Sequence, residues 1–276
     1  MIAKRLVFRA CAALLLGLVA ACGGGGGGSD PPGAGQAGIA TRTQSVISSA
    51  ETGIAYNYQV YLPPGYATGT ARYPVIYAAD GEYRFPVLSA VLESQGRQAI
   101  LVNVWHMGAD RRWIDFTLPG AEAYYRFLTR ELIPAIDALY RTDSSRRVYT
   151  GHSLSGEFAL YALYLERPGQ RHFSAILSGD GSFWARRDTT WAGPLDEPAA
   201  TMEREMVERE PNLSTTLAMA GSARANGPVV EAVHGRIASR GIANLRLRHA
   251  SYPQGHLEMD GPSFAEALPF LLEATR

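Results

Sequence analysis

Val148-Tyr149-Thr150-Gly151-His152-Ser153-Leu154-Ser155-Gly156-Glu157-Phe158-Ala159-Leu160 reads as a buried strand, a very tight turn and then a helix, with Ser153 at the tip of the turn. A serine held where a strand reverses into a helix has its hydroxyl pushed clear of the backbone, and the helix N-terminus beneath it favours developing negative charge. Residues two places to either side must be small, because larger side chains would collide across the turn. Gly151 meets this need on one side and Ser155 on the other. The stretch fits G-x-S-x-G at four of its five positions, with Gly156 one place late. Such a pentapeptide acquires meaning only from its context; in isolation the alternative is a polar turn capping a core helix.

That context emerges on moving outward. Thr43 to Ser49 and Tyr56 to Leu62 alternate as half-buried strands do, and Pro63-Pro64-Gly65 ends the second. Tyr73-Pro74-Val75-Ile76-Tyr77-Ala78-Ala79 and Ala99 to Val104 are short apolar runs of the kind found inside parallel sheets. Between Glu122 and Leu139, Tyr125, Leu128, Leu132, Ile136 and Leu139 recur at helical spacing, which predicts an amphipathic helix bent near Pro134. Arg147 to Thr150 is the strand that feeds Ser153. Beyond the turn helix come strands over Phe173 to Ser178, Thr216 to Ala220 and Leu245 to Tyr252, and helices over Val229 to Arg240 and Ser263 to Leu272. Strand and helix alternate, so the expected fold class is α/β: a mainly parallel sheet covered on both faces and opened by an antiparallel pair. Phe183 to Pro211 interrupts the rhythm. A small cap over the site and a plain crossover helix with long loops are equally good readings of it.

Composition narrows the chemistry. The chain has 276 residues, 46% of them hydrophobic, enough to bury the core of one catalytic domain. Formal net charge is zero and no basic run interleaves with aromatics, so nucleic acid is not an expected partner. Lys4 is the only lysine, which excludes a Schiff-base mechanism and a P-loop from the folded domain. No organic cofactor or metal is implied, and oligomeric state is not legible.

The N-terminal part reads as an address. Lys4, Arg5 and Arg9 precede an apolar run from Ala10 to Ala21 that is too short to span a bilayer permanently. Val19-Ala20-Ala21-Cys22 resembles the lipobox of bacterial lipoproteins, in which the cysteine is lipidated and becomes the first mature residue; ordinary cleavage after Ala21 is the alternative. Residues 22–40, rich in Gly and Pro, form a tether with a mean reach of about 20 to 25 Å. The expected organisation is a signal peptide over 1–21, the tether, and a catalytic domain over 41–276. The expected location is the bacterial cell envelope, anchored through lipid on Cys22, at the outer membrane because Gly23 rather than Asp follows.

Several separated motifs then appear in a fixed order: Tyr73-Pro74-Val75-Ile76-Tyr77 with Asp80-Gly81, Arg111-Arg112-Trp113-Ile114-Asp115-Phe116-Thr117-Leu118-Pro119, Glu131-Leu132-Ile133-Pro134-Ala135-Ile136-Asp137, Gly-His-Ser-Leu-Ser-Gly over 151–156, and Gly255-His256. Over about residues 55–273 the chain resembles the esterase family of α/β-hydrolases that contains enterochelin and ferric siderophore esterases, feruloyl esterases and the antigen 85 acyltransferases. Ala220-Gly221-Ser222-Ala223 and Tyr252-Pro253-Gln254-Gly255-His256 bring it nearest to the periplasmic siderophore-esterase branch.

The resemblance implies an α/β-hydrolase fold and assigns roles. Ser153 is the expected nucleophile and His256, directly after the last strand, its base. The backbone N–H groups of Leu154 and, by resemblance, Glu82 are the expected oxyanion donors. For the acid, residues 221–230 after the strand Thr216 to Ala220 hold no carboxylate, so a Ser–His dyad is the favoured reading, with Asp180 next and Glu231 third. The implied activity is hydrolysis of a small-molecule carboxylic ester through an acyl-serine. Two alternatives remain: acyl transfer on the same fold, and a non-catalytic surface lipoprotein that keeps a hydrolase-like fold for binding.

Overall fold

The structure is a computed structural model and describes residues 39–106, 108–184 and 197–273. The expected leader, most of the tether and Cys22 lie outside the described residues. Eight strands form one sheet, in the order β1-β2-β4-β3-β5-β6-β7-β8. They are β1 (Thr41–Ser48), β2 (Ala55–Leu62), β3 (Tyr73–Ala78), β4 (Ile100–Val104), β5 (Thr142–His152), β6 (Ala175–Gly179), β7 (Asn212–Ser222) and β8 (Ala243–Tyr252). The pairings β1–β2 and β2–β4 are antiparallel and all the others parallel, as the sequence leads one to expect.

Period-two burial explains why the sheet is covered on both sides. Along β3, Val75 and Tyr77 enter one apolar cluster while Ile76 and Ala78 enter the other; along β4, Ile100, Val102 and Val104 oppose Leu101. The smaller cluster is closed by α1 (Gly81–Ser94), through Phe85, Leu88 and Leu92, and by α8 (Asp260–Leu272), through Phe264, Leu268 and Leu271. The larger cluster takes Phe116 of α2 (Ala109–Phe116), Tyr124 of α3 (Gly120–Arg126), Ile136 of α4 (Ile133–Leu139) and Phe158 of α5 (Leu154–Leu165). It also takes Met206 of α6 (Glu197–Arg209) and Val230 of α7 (Gly227–Ser239).

Two details differ from the expectation of one bent helix over Glu122 to Leu139. Pro134 has no N–H to give to the carbonyl one turn back, and just before it the chain widens into a π-helical turn over Phe127–Leu132. Helices α1 and α2 are not among the helices expected: α1 carries Pro86 inside it and buries Arg84, paired with Asp260 and the Thr150 carbonyl.

Within 183–211, α6 is a crossover helix on a face of the sheet. It packs on α5, and Glu203, fully buried, accepts hydrogen bonds from Arg236 Nε of α7 (2.9 Å), Arg240 Nε (2.9 Å) and Tyr164 of α5 (3.3 Å). Residues 185–196, the remainder of the suggested cap, lie outside the described residues. Replacing Glu203 with Gln leaves two guanidinium groups facing an uncharged amide. Stability is expected to fall by about 3 kcal/mol, the low end for a broken buried ion pair because both arginines keep some water. A lower urea midpoint at unchanged m value is the measurement; an unchanged midpoint contradicts this role for Glu203.

Candidate active site

The turn at Ser153 is as tight as its sequence requires. Ser153 has φ 62° and ψ −124°, a conformation that costs a non-glycine residue about 1 to 3 kcal/mol. Its N–H donates to the Gly179 carbonyl (2.9 Å), and its carbonyl accepts from the N–H groups of Glu157 (3.1 Å) and Ser182 (3.1 Å). A β-carbon on Gly151 would stand 1.8 Å from the Ser155 carbonyl oxygen, so only glycine fits there. Gly156 has a separate reason to be glycine: its β-carbon would come within 2.5 Å of the Gly179 carbonyl oxygen, where α5 passes the end of β6.

Asp180 follows β6 directly, with φ 39° and no solvent exposure. Its N–H donates to the Ala220 carbonyl at 2.7 Å, its carbonyl accepts from Asn226 Nδ2 at 2.8 Å, and its Oδ1 accepts from the Ser222 N–H at 2.8 Å. The other carboxylate oxygen stands 2.5 Å from His256 Nδ1. A fixed, buried carboxylate on Nδ1 holds the imidazole with its proton on that side, which leaves Nε2 to accept another. The dyad favoured from the sequence therefore differs from the arrangement in the structure, where an acidic side chain does meet the histidine. Glu231 is the wrong residue for that position: it is exposed on α7, where its charge acts on His234.

Three of the four non-glycine residues with positive φ among the described residues are Asp80, Ser153 and Asp180. All three stand just after parallel strands, at the carboxyl edge of the sheet where open α/β folds bind ligands. Asp80 precedes α1 in a left-handed conformation, φ 61° and ψ 44°. Glu82 and Leu154 lie in the first turns of α1 and α5, where a helix has no internal carbonyl for its N–H groups. The Glu82 carboxylate is engaged elsewhere, accepting the His106 N–H at 3.1 Å, so any part it takes in an oxyanion hole is through its backbone.

Ser153 and His256 line one cavity of about 680 Å³, together with Asp80, Arg84, His106 and Arg112 on its polar side. Tyr83, Val87 and Leu257, three of the few large apolar side chains exposed on the described surface, stand at its rim. The Ser153 hydroxyl lies 3.2 Å from that of Ser182, which Asn226 approaches from behind at 3.5 Å. Ser182, Asn226 and Ser222 escape a reading of the sequence, because short polar residues in loops carry no pattern. Asp180 does leave a trace, since an aspartate between two glycines at the end of an apolar run suits positive φ. Among the described residues, no group of three or more His, Cys, Asp or Glu side chains is arranged to hold a metal ion.

Beneath His256 sits a second imidazole. The His152 and His256 ring centres are 4.7 Å apart, and His152 Nδ1 is 3.6 Å from Asp260 Oδ1. Asp260 is itself bound by Arg84 through Nε (2.8 Å) and Nη2 (2.9 Å), a pair that ties α8 to α1. Burial pushes the His152 ring down to about 4, against the opposing pull of Asp260, so it is neutral at ordinary pH.

Comparison with known proteins gives three kinds of likeness. Residues 49–219 match the family profile described as "Putative esterase". Ferri-bacillibactin esterase BesA of Bacillus subtilis is 29% identical over 157 residues, covering 45% of this chain and 53% of that protein. The chain spans about half the length of the curated relatives it matches. Among solved structures, an IroE-like serine hydrolase from Shewanella oneidensis superposes with TM-score 0.71 at 22% identity, covering 84% of this chain and 80% of that one. Siderophore hydrolase EstA from Aspergillus nidulans superposes with TM-score 0.67 at 16% identity, covering 83% and 93%. These two likenesses establish the fold.

The buried His152 makes stability depend on pH in a definite direction. Its pKa falls from 6.5 when unfolded to about 4 when folded, so between those values the unfolded chain binds a proton that the folded protein does not. Stability should rise from pH 4 to pH 6.5, by roughly 3 kcal/mol for one such group. His234, also lowered by burial, contributes in the same sense. His152→Asn should flatten the curve of unfolding free energy against pH in that window; parallel curves for the two proteins would remove His152 as the cause.

Proposed function

The chain belongs to the esterase family, and on that premise we propose that it is a serine carboxylic-ester hydrolase acting through an acyl-serine intermediate. One observation carries the reading: the buried Asp180 carboxylate stands 2.5 Å from His256 Nδ1, and His256 opens with Ser153 onto one cavity. In the proposed reaction, Ser153 Oγ attacks the ester carbonyl as His256 Nε2 takes its proton, and Asp180 stabilises the imidazolium that forms. The oxyanion of the tetrahedral intermediate faces the N–H groups of Leu154 and Glu82, each worth about 3 to 4 kcal/mol in a water-poor site. Collapse breaks the ester C–O bond, and the His256 proton leaves with the alcohol. Water, activated by the same imidazole, then releases the acid and restores Ser153. No cofactor takes part.

BesA is by name a ferri-bacillibactin esterase and EstA a siderophore hydrolase, which favours siderophore or other aryl and short-acyl esters for this chain. The apolar rim of Tyr83, Val87 and Leu257 is compatible with an aryl or acyl group. Ser153→Ala and His256→Ala are each expected to lower kcat for p-nitrophenyl butyrate by ~10³-fold or more with the fold retained. Asp180→Asn should cost up to ~10⁴-fold, because the amide favours the wrong histidine tautomer. An Asp180→Asn enzyme within tenfold of wild type returns the site to a Ser–His dyad. A fluorophosphonate probe that leaves Ser153 of folded protein unlabelled points instead to a binding protein.

We further propose that lipid on Cys22 holds the enzyme at a bacterial envelope membrane, the outer one. The charged and then apolar leader, the small residues ending on cysteine and the Gly/Pro tether support this together. At about 0.8 kcal/mol per buried methylene, a multiply acylated cysteine would anchor the domain essentially permanently. Expressed with its own leader in a bacterial host, the wild type should fractionate with membranes and Cys22→Ala should not. Equal solubility of the two would dispose of the anchor.

A further inference from the structure

We propose that Ser155, acting through the Asp80 carboxylate, is a positioning residue that keeps a negative charge out of the oxyanion hole and fixes its two halves relative to one another. The proposal rests on the hydrolase reading of Ser153. Asp80 occupies the N-cap position of α1, where an aspartate ordinarily turns its side chain back to accept the N–H groups of the first turn. Here it makes no such bond. Its Oδ2 instead accepts from Ser155 Oγ at 2.7 Å, and the carboxylate is gripped by Arg112 through Nε (2.7 Å) and Nη2 (3.0 Å), with His106 Nδ1 at 3.5 Å. Asp80 is 4% exposed, so these are its partners rather than water.

Ser155 is held equally firmly at its own end. Its oxygen accepts the His152 N–H at 2.8 Å, and its single proton lies between Asp80 Oδ2 and the His152 carbonyl oxygen at 2.9 Å. One hydroxyl thus joins the backbone of the Ser153 turn to the loop that opens α1. These are the two segments that carry Leu154 and Glu82. The hydroxyl is also the atom by which this turn departs from G-x-S-x-G, since glycine at 155 would supply neither bond. Without it Oδ2 loses the shorter of its two contacts, leaving the carboxylate to Arg112 and His106 Nδ1 and able to turn toward the first-turn N–H groups of α1. A carboxylate there competes with an oxyanion for the same donors and repels it.

A role in positioning predicts losses in the transition state and not in substrate binding. Ser155→Ala should weaken inhibition by a boronic acid, which adds to Ser153 Oγ as a tetrahedral anion, by about tenfold or more, the effect of one hydrogen bond to a charged group. kcat for p-nitrophenyl butyrate should fall in parallel, with KM within twofold. Adding Asp80→Asn to Ser155→Ala removes the displaced charge and should restore a substantial part of the boronate affinity, a recovery that mere loosening of the fold would not give. Ser155→Gly provides the same comparison if the alanine variant folds poorly. Boronate affinity and kcat within twofold of wild type in folded variants, or a double variant no better than the single, overturns the proposal while leaving the esterase reading intact. A wild type that neither binds boronate nor reacts with a fluorophosphonate ends both.

Discussion

A β-carbon at residue 151 would stand 1.8 Å from the Ser155 carbonyl oxygen, and this prohibition shapes the centre of the molecule. With no side chain at 151, β5 can reverse into α5 within one residue, and Ser153 must take the strained conformation at the apex. The same reversal brings α5 so near the end of β6 that Gly156 too must lack a side chain. Strain at one residue is sustained because β3 and β6 beside it and α5 from Leu154 to Tyr164 are buried, leaving the backbone nowhere else to go.

The edge of the sheet beyond that turn concentrates the polar groups that the core cannot hold. Asp80, Asp180 and Asp260 are all buried, and each has a different counterpart: Arg112 with Ser155, His256 with the Ser222 N–H, and Arg84. None is left without a partner, which is the condition under which burial of a carboxylate is tolerated. The three carboxylates come from segments after β3, β6 and β8, so they hold the loops as much as the loops hold them.

How much of this a sequence discloses depends on the range over which its signals act. The parallel strands are legible because burial on both faces makes Val75 to Ala78 or Ile100 to Val102 apolar without alternation, and the turn at Ser153 because its steric demands fall within five residues. α1 is hidden, since Arg84 and Pro86 obscure the periodicity that Phe85, Leu88 and Leu92 would otherwise display. The carboxylate beside His256 is only partly legible, for another reason. Asp180 and His256 are far apart in sequence, and which strand's following loop reaches the histidine is decided by tertiary packing. The first carboxylate after β7 is Glu231, whereas Asp180, directly after β6, takes the Ser222 N–H at the end of β7 and meets His256.

The clasp between Arg84 and Asp260 bears on how the protein would fail when heated. His256 stands in the loop 253–259, and that loop is pinned at its far end by Met259, fully buried, and by α8, which the clasp fastens to α1. α8 buries only one face, through Phe264, Leu268 and Leu271, so its docking is open to loss in a partial unfolding that spares the strands. His256 and Ser153 would then separate while circular dichroism still reports an intact sheet. On warming, the proposed esterase activity should disappear several degrees below the far-ultraviolet transition and return on cooling; coincidence of the two would mean that α8 and the sheet come apart as one body.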